Sequence, residues 1–94
     1  MTKYEVKLTS RFKKDYKRIR KQGLAIEELQ KVVSVLADGK KLDNNYNDHE
    51  LSGSWSGYRE CHIRPDWLLI YKYYEDILVL SLTRTGSHNE LFDK

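Results

Sequence analysis

Polar and apolar residues alternate over "YEVKL" (4–8), with Tyr4, Val6 and Leu8 on one side and Glu5 and Lys7 on the other, which predicts a short half-buried strand. Thr9 or Ser10 follows, where a helix N-cap belongs. The period then lengthens. Phe12, Tyr16 and Ile19 recur at i, i+4 and i+7, predicting a helix that packs by this stripe and turns a basic back to solvent. Gly23 interrupts it, and a second helix is expected from about Ala25 to Asp38, with Leu29, Val32, Val33 and Leu36 on one face and Gly39 as its stop. Residues 40–48, "KKLDNNYND", form a polar connector. Beyond them "GYRECHI", "WLLIYKYY" and "DILVLSLTR" have the composition of strands, punctuated by "RPD" and "YED" turns. The expected fold is α+β: an N-terminal strand and a two-helix hairpin packed on one face of a small antiparallel sheet. Nothing in the chain is left to cover the sheet's other face, unless a partner or substrate does so.

Ninety-four residues suit one domain spanning 1–94. The single cysteine, Cys61, cannot form an internal disulfide, which suits a reducing compartment. The N-terminus lacks an apolar leader and the longest apolar runs are too short to cross a bilayer, so a cytoplasmic protein without a membrane partner is expected. The net charge of +3 is unevenly distributed. Residues 11–21, "RFKKDYKRIRK", hold Arg11, Lys13, Lys14, Lys17, Arg18, Arg20 and Lys21 against one acid, Asp15. Such a block marks either a phosphate-rich partner or a solvated helix face.

All three histidines, His49, His62 and His88, lie in the strand-rich half. His62 shares a strand face with Tyr58 and Glu60 at period two, and Asp66 follows Pro65 at a tight turn. Neighbouring strand ends of a meander meet in space, so the three imidazoles and Asp66 are candidates to converge, with Arg84 nearby. Taken singly, each residue has an ordinary structural explanation, as do Trp55, Trp67 and Phe92. A glycine-rich phosphate loop, a C-x-x-C pair and an H-E-x-x-H zinc motif are all absent from the sequence. A zinc site built from His49, His62, His88 and Asp66 matches no common ligand spacing. The residues alone point to a nucleic-acid-binding domain, with nuclease activity left open.

The segment "HELSGSWSGYRECHIRPDWLLIYK" (49–72), followed by "RTGSHNELF" (84–92), resembles the YafQ branch of the RelE superfamily of bacterial type II toxins. The pattern H-x-L-x-G-x-W-x-G-x-R-x-x-H-I-x-P-D-W is long and ungapped, and Phe12, Lys14 and Asp15 fit the family's basic helix. The resemblance implies a RelE-like fold and a ribosome-dependent, metal-independent endoribonuclease that cuts mRNA in the A site and needs no cofactor. It implies catalytic roles for His49, His62, Asp66 and His88, transition-state or phosphate stabilisation by Arg84, and mRNA base contacts by Phe92 and Trp67. The expected chemistry is attack by the RNA 2′-hydroxyl. Asp66, alone or with His62, is the expected base, and His88 the acid, with His49 and Arg84 steadying charge. The seven cations of the basic block would grip ribosomal RNA. A cognate antitoxin, of the ribbon–helix–helix kind, would hold the toxin inactive and carry any contact with operator DNA. Two other classes stay open: a RelE-fold toxin acting by binding, as ParE relatives do on DNA gyrase, and an RNA-binding module without catalysis.

Overall fold

Thr9 caps the first helix, its Oγ1 accepting from the Phe12 N–H at 3.0 Å and donating to the Thr83 carbonyl at 2.8 Å. The cap thereby fixes the helix start to the far end of the chain. In the computed structural model, which describes residues 2–92, the elements run β1 (Glu5–Leu8), α1 (Ser10–Lys21), α2 (Ile26–Ala37), β2 (His49–Glu50), β3 (Arg59–Arg64), β4 (Trp67–Tyr74), β5 (Val79–Gly86) and α3 (His88–Phe92). The sheet order is β1-β5-β4-β3-β2. The α+β plan holds, with three departures from the expected layout.

The sheet is antiparallel except at one edge, where β1 pairs with β5 in parallel, Glu5 opposite Val79 through Leu8 opposite Leu82. The last strand also starts later than expected. Ile77 and Leu78 lie exposed in the turn, and Leu78 takes a left-handed backbone (φ 52°) while its carbonyl receives the Glu5 N–H. One side chain in two points to each face of a strand, and the two faces are packed differently. Cys61, Ile63, Trp67, Leu69, Tyr71, Leu80 and Leu82 meet Phe12, Ile19, Leu29, Val32 and Leu36 of α1 and α2 in the main core.

The opposite face is not left bare. Leu68 and Ile70 are fully buried there beneath Leu91, with Leu51, Trp55, Tyr58 and Phe92 packed around them. The loop from Leu51 to Tyr58 and the short α3 provide this small second core. It covers only part of the face, and the uncovered part carries the ionisable groups. No helix among the described residues is long and apolar enough to span a membrane.

Candidate active site

On β3 the parity that sends Cys61 and Ile63 into the main core sends Glu60 and His62 to the other face. Glu60 is buried and forms the floor of the site, while His62 above it keeps a partly exposed ring. β2 consists of two residues, and its register sets His49 directly opposite Glu60. Asn47 turns the approaching chain through a left-handed backbone (φ 50°), and its carbonyl lies 2.7 Å from His49 Nδ1. A carbonyl only accepts, so Nδ1 carries a proton. His49 Nε2 then faces Glu60 Oε1 at 3.2 Å, and the same oxygen lies 3.5 Å from His62 Nε2. One buried carboxylate is thus bracketed by two imidazoles, their ring centres 6.2 Å apart.

The third imidazole arrives from β5. Arg64 and Trp67 pair across a two-residue Pro65–Asp66 turn, which projects Asp66 into solvent. At the end of β5, Ser87 and Glu90 bond reciprocally: Ser87 N–H to Glu90 Oε1 at 2.9 Å and Glu90 N–H to Ser87 Oγ at 3.2 Å. This capping box starts α3 and leaves His88 as its first residue. Gly86 makes the approach sterically feasible, since its φ of +150° and a Cβ 2.5 Å from Arg18 Nη2 would both oppose a side chain there. The His88 backbone N–H donates to Asp66 Oδ1 at 3.2 Å, and His88 Nδ1 lies 3.3 Å from the same oxygen. These two contacts, the backbone one first, hold the Asp66 carboxyl below its usual range. An ionised carboxylate only accepts, so Nδ1–H points to Asp66 and Nε2 is the free nitrogen. The His62 and His88 ring centres are 5.7 Å apart, and Phe92 lies 6.2 Å from His88.

His49, His62, Asp66, His88 and Phe92 are therefore brought together. Three other expected residues are not. Trp67 is buried in the main core, with Nε1 donating to Thr85 Oγ1 at 3.0 Å, so its ring cannot meet an RNA base. Arg84 is buried too, and its Nε and Nη2 both donate to Asp15, at 2.7 and 3.0 Å. That fork is committed to a carboxylate under α1, not to a phosphate. Arg18 reaches the same acid at 3.0 Å, donates to the Thr85 carbonyl and lies against Glu90, so it is a strut rather than a free cation. Arg11, Lys13, Lys14, Lys17, Arg20 and Lys21 remain exposed on α1, on the side of the sheet away from the histidines.

Glu60 is the residue whose weight sequence reasoning underestimated. Its period-two relation to His62 was legible, but its burial between two imidazoles depends on β2, a strand too short to show in a pattern. The nitrogen and oxygen donors of Glu60, His62 and His88 lie within 4.8 Å of one another. Two imidazoles and a carboxylate suit a divalent transition metal, although ligands on one zinc sit roughly 3.5 Å apart and this set would have to contract. The four-residue zinc set considered from the sequence is a different grouping.

A family model described as the bacterial toxin of type II toxin–antitoxin systems, YafQ, matches residues 4–93. The mRNA interferase toxin YafQ of Escherichia coli K12 is 36% identical over 93 residues, covering 98% of this chain and 99% of that protein. The E. coli DinJ–YafQ toxin–antitoxin complex contains a chain that superposes with a TM-score of 0.87 at 35% identity, over 96% of this chain and 98% of that one. A metal-bound toxin from Helicobacter pylori superposes with a TM-score of 0.89 at 40% identity, over 98% and 100% of the two chains.

Proposed function

The chain belongs to the YafQ family of bacterial type II toxins, and we propose that its histidine cluster cuts mRNA in the ribosomal A site without a metal ion. The protein is an mRNA interferase, an endoribonuclease that blocks translation in the cytoplasm. A cognate antitoxin holds it inactive, as the DinJ–YafQ toxin–antitoxin complex of the relative suggests. A ribbon–helix–helix antitoxin would carry the complex to operator DNA, and the free α1 cations would grip ribosomal RNA.

The observation that carries the reading is the open cluster of His49, His62 and His88 over the buried Glu60. RNA supplies its own nucleophile, the 2′-hydroxyl beside the scissile phosphate. His62 Nδ1 makes no hydrogen bond among the described residues and is the nitrogen that takes the 2′ proton, with the Glu60 carboxylate beside Nε2. His88 gives a proton from Nε2 to the departing 5′-oxygen, while Asp66 holds its tautomer. Asp66 is therefore a better orienting group than base, because a carboxyl held below its usual range binds a proton weakly. His49, between Glu60 and the Asn47 carbonyl, faces the charge of the phosphorane. The new bond is 2′-O–P and the broken one P–O5′, leaving a 2′,3′-cyclic phosphate and a 5′-hydroxyl. Phe92 offers a face on which a splayed base stacks.

One observation favours a second reading. The Glu60, His62 and His88 donor set, together with the metal-bound H. pylori relative, suits a bound divalent metal that would supply Lewis-acid charge. Single-turnover cleavage on programmed ribosomes, with mapped 5′ ends and with toxin stripped by EDTA and exchanged out of the chelator before mixing, separates the two. The metal-free reading expects an unchanged rate, a cyclic phosphate product and no cleavage where the 2′-hydroxyl is replaced by hydrogen. Loss of cleavage by the stripped toxin in the ribosomes' own Mg²⁺ buffer, with recovery on adding zinc, would reverse that order.

A further inference from the structure

Next to His62 a cleft of about 470 Å³ opens between Tyr46, Asn45, Arg64, Pro65 and Glu28. We propose that this cleft is a nucleobase subsite that selects one base beside the scissile bond. The inference rests on the ribonuclease reading above and adds the source of sequence preference.

Three observations select a base as the occupant. First, His62 is a wall of both the cleft and the catalytic cluster. A nucleotide that brings its 2′-hydroxyl to His62 has its base within one sugar's reach of the cleft. Second, the charges at the rim cancel. Glu28 accepts from both Nε and Nη2 of Arg64, and this fork leaves no free cation for a phosphate. The pair also locks the guanidinium plane, and a fixed guanidinium and an aromatic ring are the surfaces on which RNA bases stack. The Tyr46 ring supplies the second surface, half-buried against the main core at the end of a short 3₁₀ turn, Asn44–Tyr46. Third, the polar groups in the cleft are available. The Asn45 amide and the Tyr46 hydroxyl form no hydrogen bond among the described residues, and an amide offers both donors and an acceptor to a base edge.

The same short segment reaches the chemistry. Tyr46 is followed by Asn47, whose carbonyl fixes the His49 ring, so residues 45–49 join the base cleft to a catalytic imidazole.

The test uses the whole toxin on ribosomes programmed with mRNAs that vary each A-site codon position through all four bases, with single-turnover cleavage rates read for wild type, Tyr46→Ala and Asn45→Ala. The wild type should discriminate at one position by about tenfold, the scale of one hydrogen bond to a base edge. Both variants should flatten that profile to within about twofold while still cutting the best codon within tenfold of wild type. Asn45 is exposed, so its variant keeps the test valid if Tyr46→Ala fails to fold. Variants that retain the wild-type profile would overturn the subsite and leave the ribonuclease intact, as would a wild type without preference at any position. A wild type that never cuts ribosome-bound mRNA would overturn both readings.

Discussion

Two carboxylates are buried among the described residues, on opposite sides of the sheet, and their surroundings differ in kind. Asp15 lies under α1 and accepts from Arg84 Nε and Nη2, Arg18 Nη1 and the Thr85 N–H. Burial alone would raise its carboxyl, but these bonds outweigh it, and the net effect is downward. Glu60 is as well covered, yet among the described residues its charged-group partners are imidazoles alone, at 3.2 and 3.5 Å. Guanidinium never loses its proton near neutral pH, so Asp15 sits in a permanent ion pair. Imidazole exchanges its proton in that range, so the partners of Glu60 can change charge during a reaction. A buried acid bound to permanent cations ties the fold together, whereas one bound to titratable partners is set up for proton transfer.

The sharpest way to break this contrast is to remove a proton-transfer group. His88→Ala should lower single-turnover cleavage about 10²–10⁴-fold with an unchanged unfolding midpoint, and Glu60→Gln should fall in the same direction. If Glu60→Gln cuts at the wild-type rate but unfolds early, the two carboxylates are alike and both are structural.

Asp15→Asn should do the reverse. It leaves Arg84 buried without its anion, and breaking such a pair costs about 3–5 kcal/mol. Urea titration measures this, and molecules that remain folded should cleave at near the wild-type rate. The pH dependence carries a definite sign. A carboxyl lowered in the folded state contributes stability that is whole above its unfolded value, about 3.9, and is lost as pH falls through the lower folded one. Urea midpoints taken from pH 7 to pH 2 should fall more steeply for wild type than for Asp15→Asn. Parallel curves would remove Asp15 from the acid sensitivity of the fold.

The same contrast explains what the sequence could disclose. Helix and strand periods placed α1, α2, β3 and β4 closely because each buries a full stripe or face. β1 joining β5 in parallel left no trace, since four residues carry no register information beyond their own alternation. β2 and α3 were too short to impose a period, though His49 and His88 sit on them. The meeting of the three histidines and Asp66 was legible from neighbouring strand ends, and the family resemblance then suggested roles for them. Asp15 was readable in hindsight: it lies at i+3 from Phe12 and i−4 from Ile19, on the apolar stripe and not among the cations. Arg84 and Trp67 misled because residue type suits RNA equally well, and only packing shows that both face inward.

Helix α1 itself divides along this line. Lys13, Lys17 and Arg20 face solvent, and replacing all three with glutamate should weaken ribosome binding and reduce its salt slope by about two to three, one phosphate contact each. Arg18→Glu should act instead on stability, since Arg18 braces Asp15 and Glu90. Binding that ignores the triple reversal would leave the basic face without an RNA partner.

The smallest effect tests the residue whose expected role moved furthest. Trp67 stands one position after Asp66, yet β4 parity turns its ring into the main core, where Nε1 donates to Thr85 Oγ1 and that hydroxyl donates on to the Leu68 carbonyl. Trp67→Phe keeps an aromatic surface and deletes the indole donor. If the ring is structural, the variant loses about 0.5–1.5 kcal/mol, the net worth of one hydrogen bond, because the Thr85 hydroxyl still donates to the Leu68 carbonyl, and it cleaves ribosome-bound mRNA at the wild-type rate once folded. If the ring stacks on mRNA, phenylalanine should preserve stability and change codon preference. The chain from Trp67 through Thr85 ends at Asp15, whose carboxylate accepts the Thr85 N–H, so the tryptophan next to the catalytic turn belongs energetically to the permanent ion pair on the far side of the sheet.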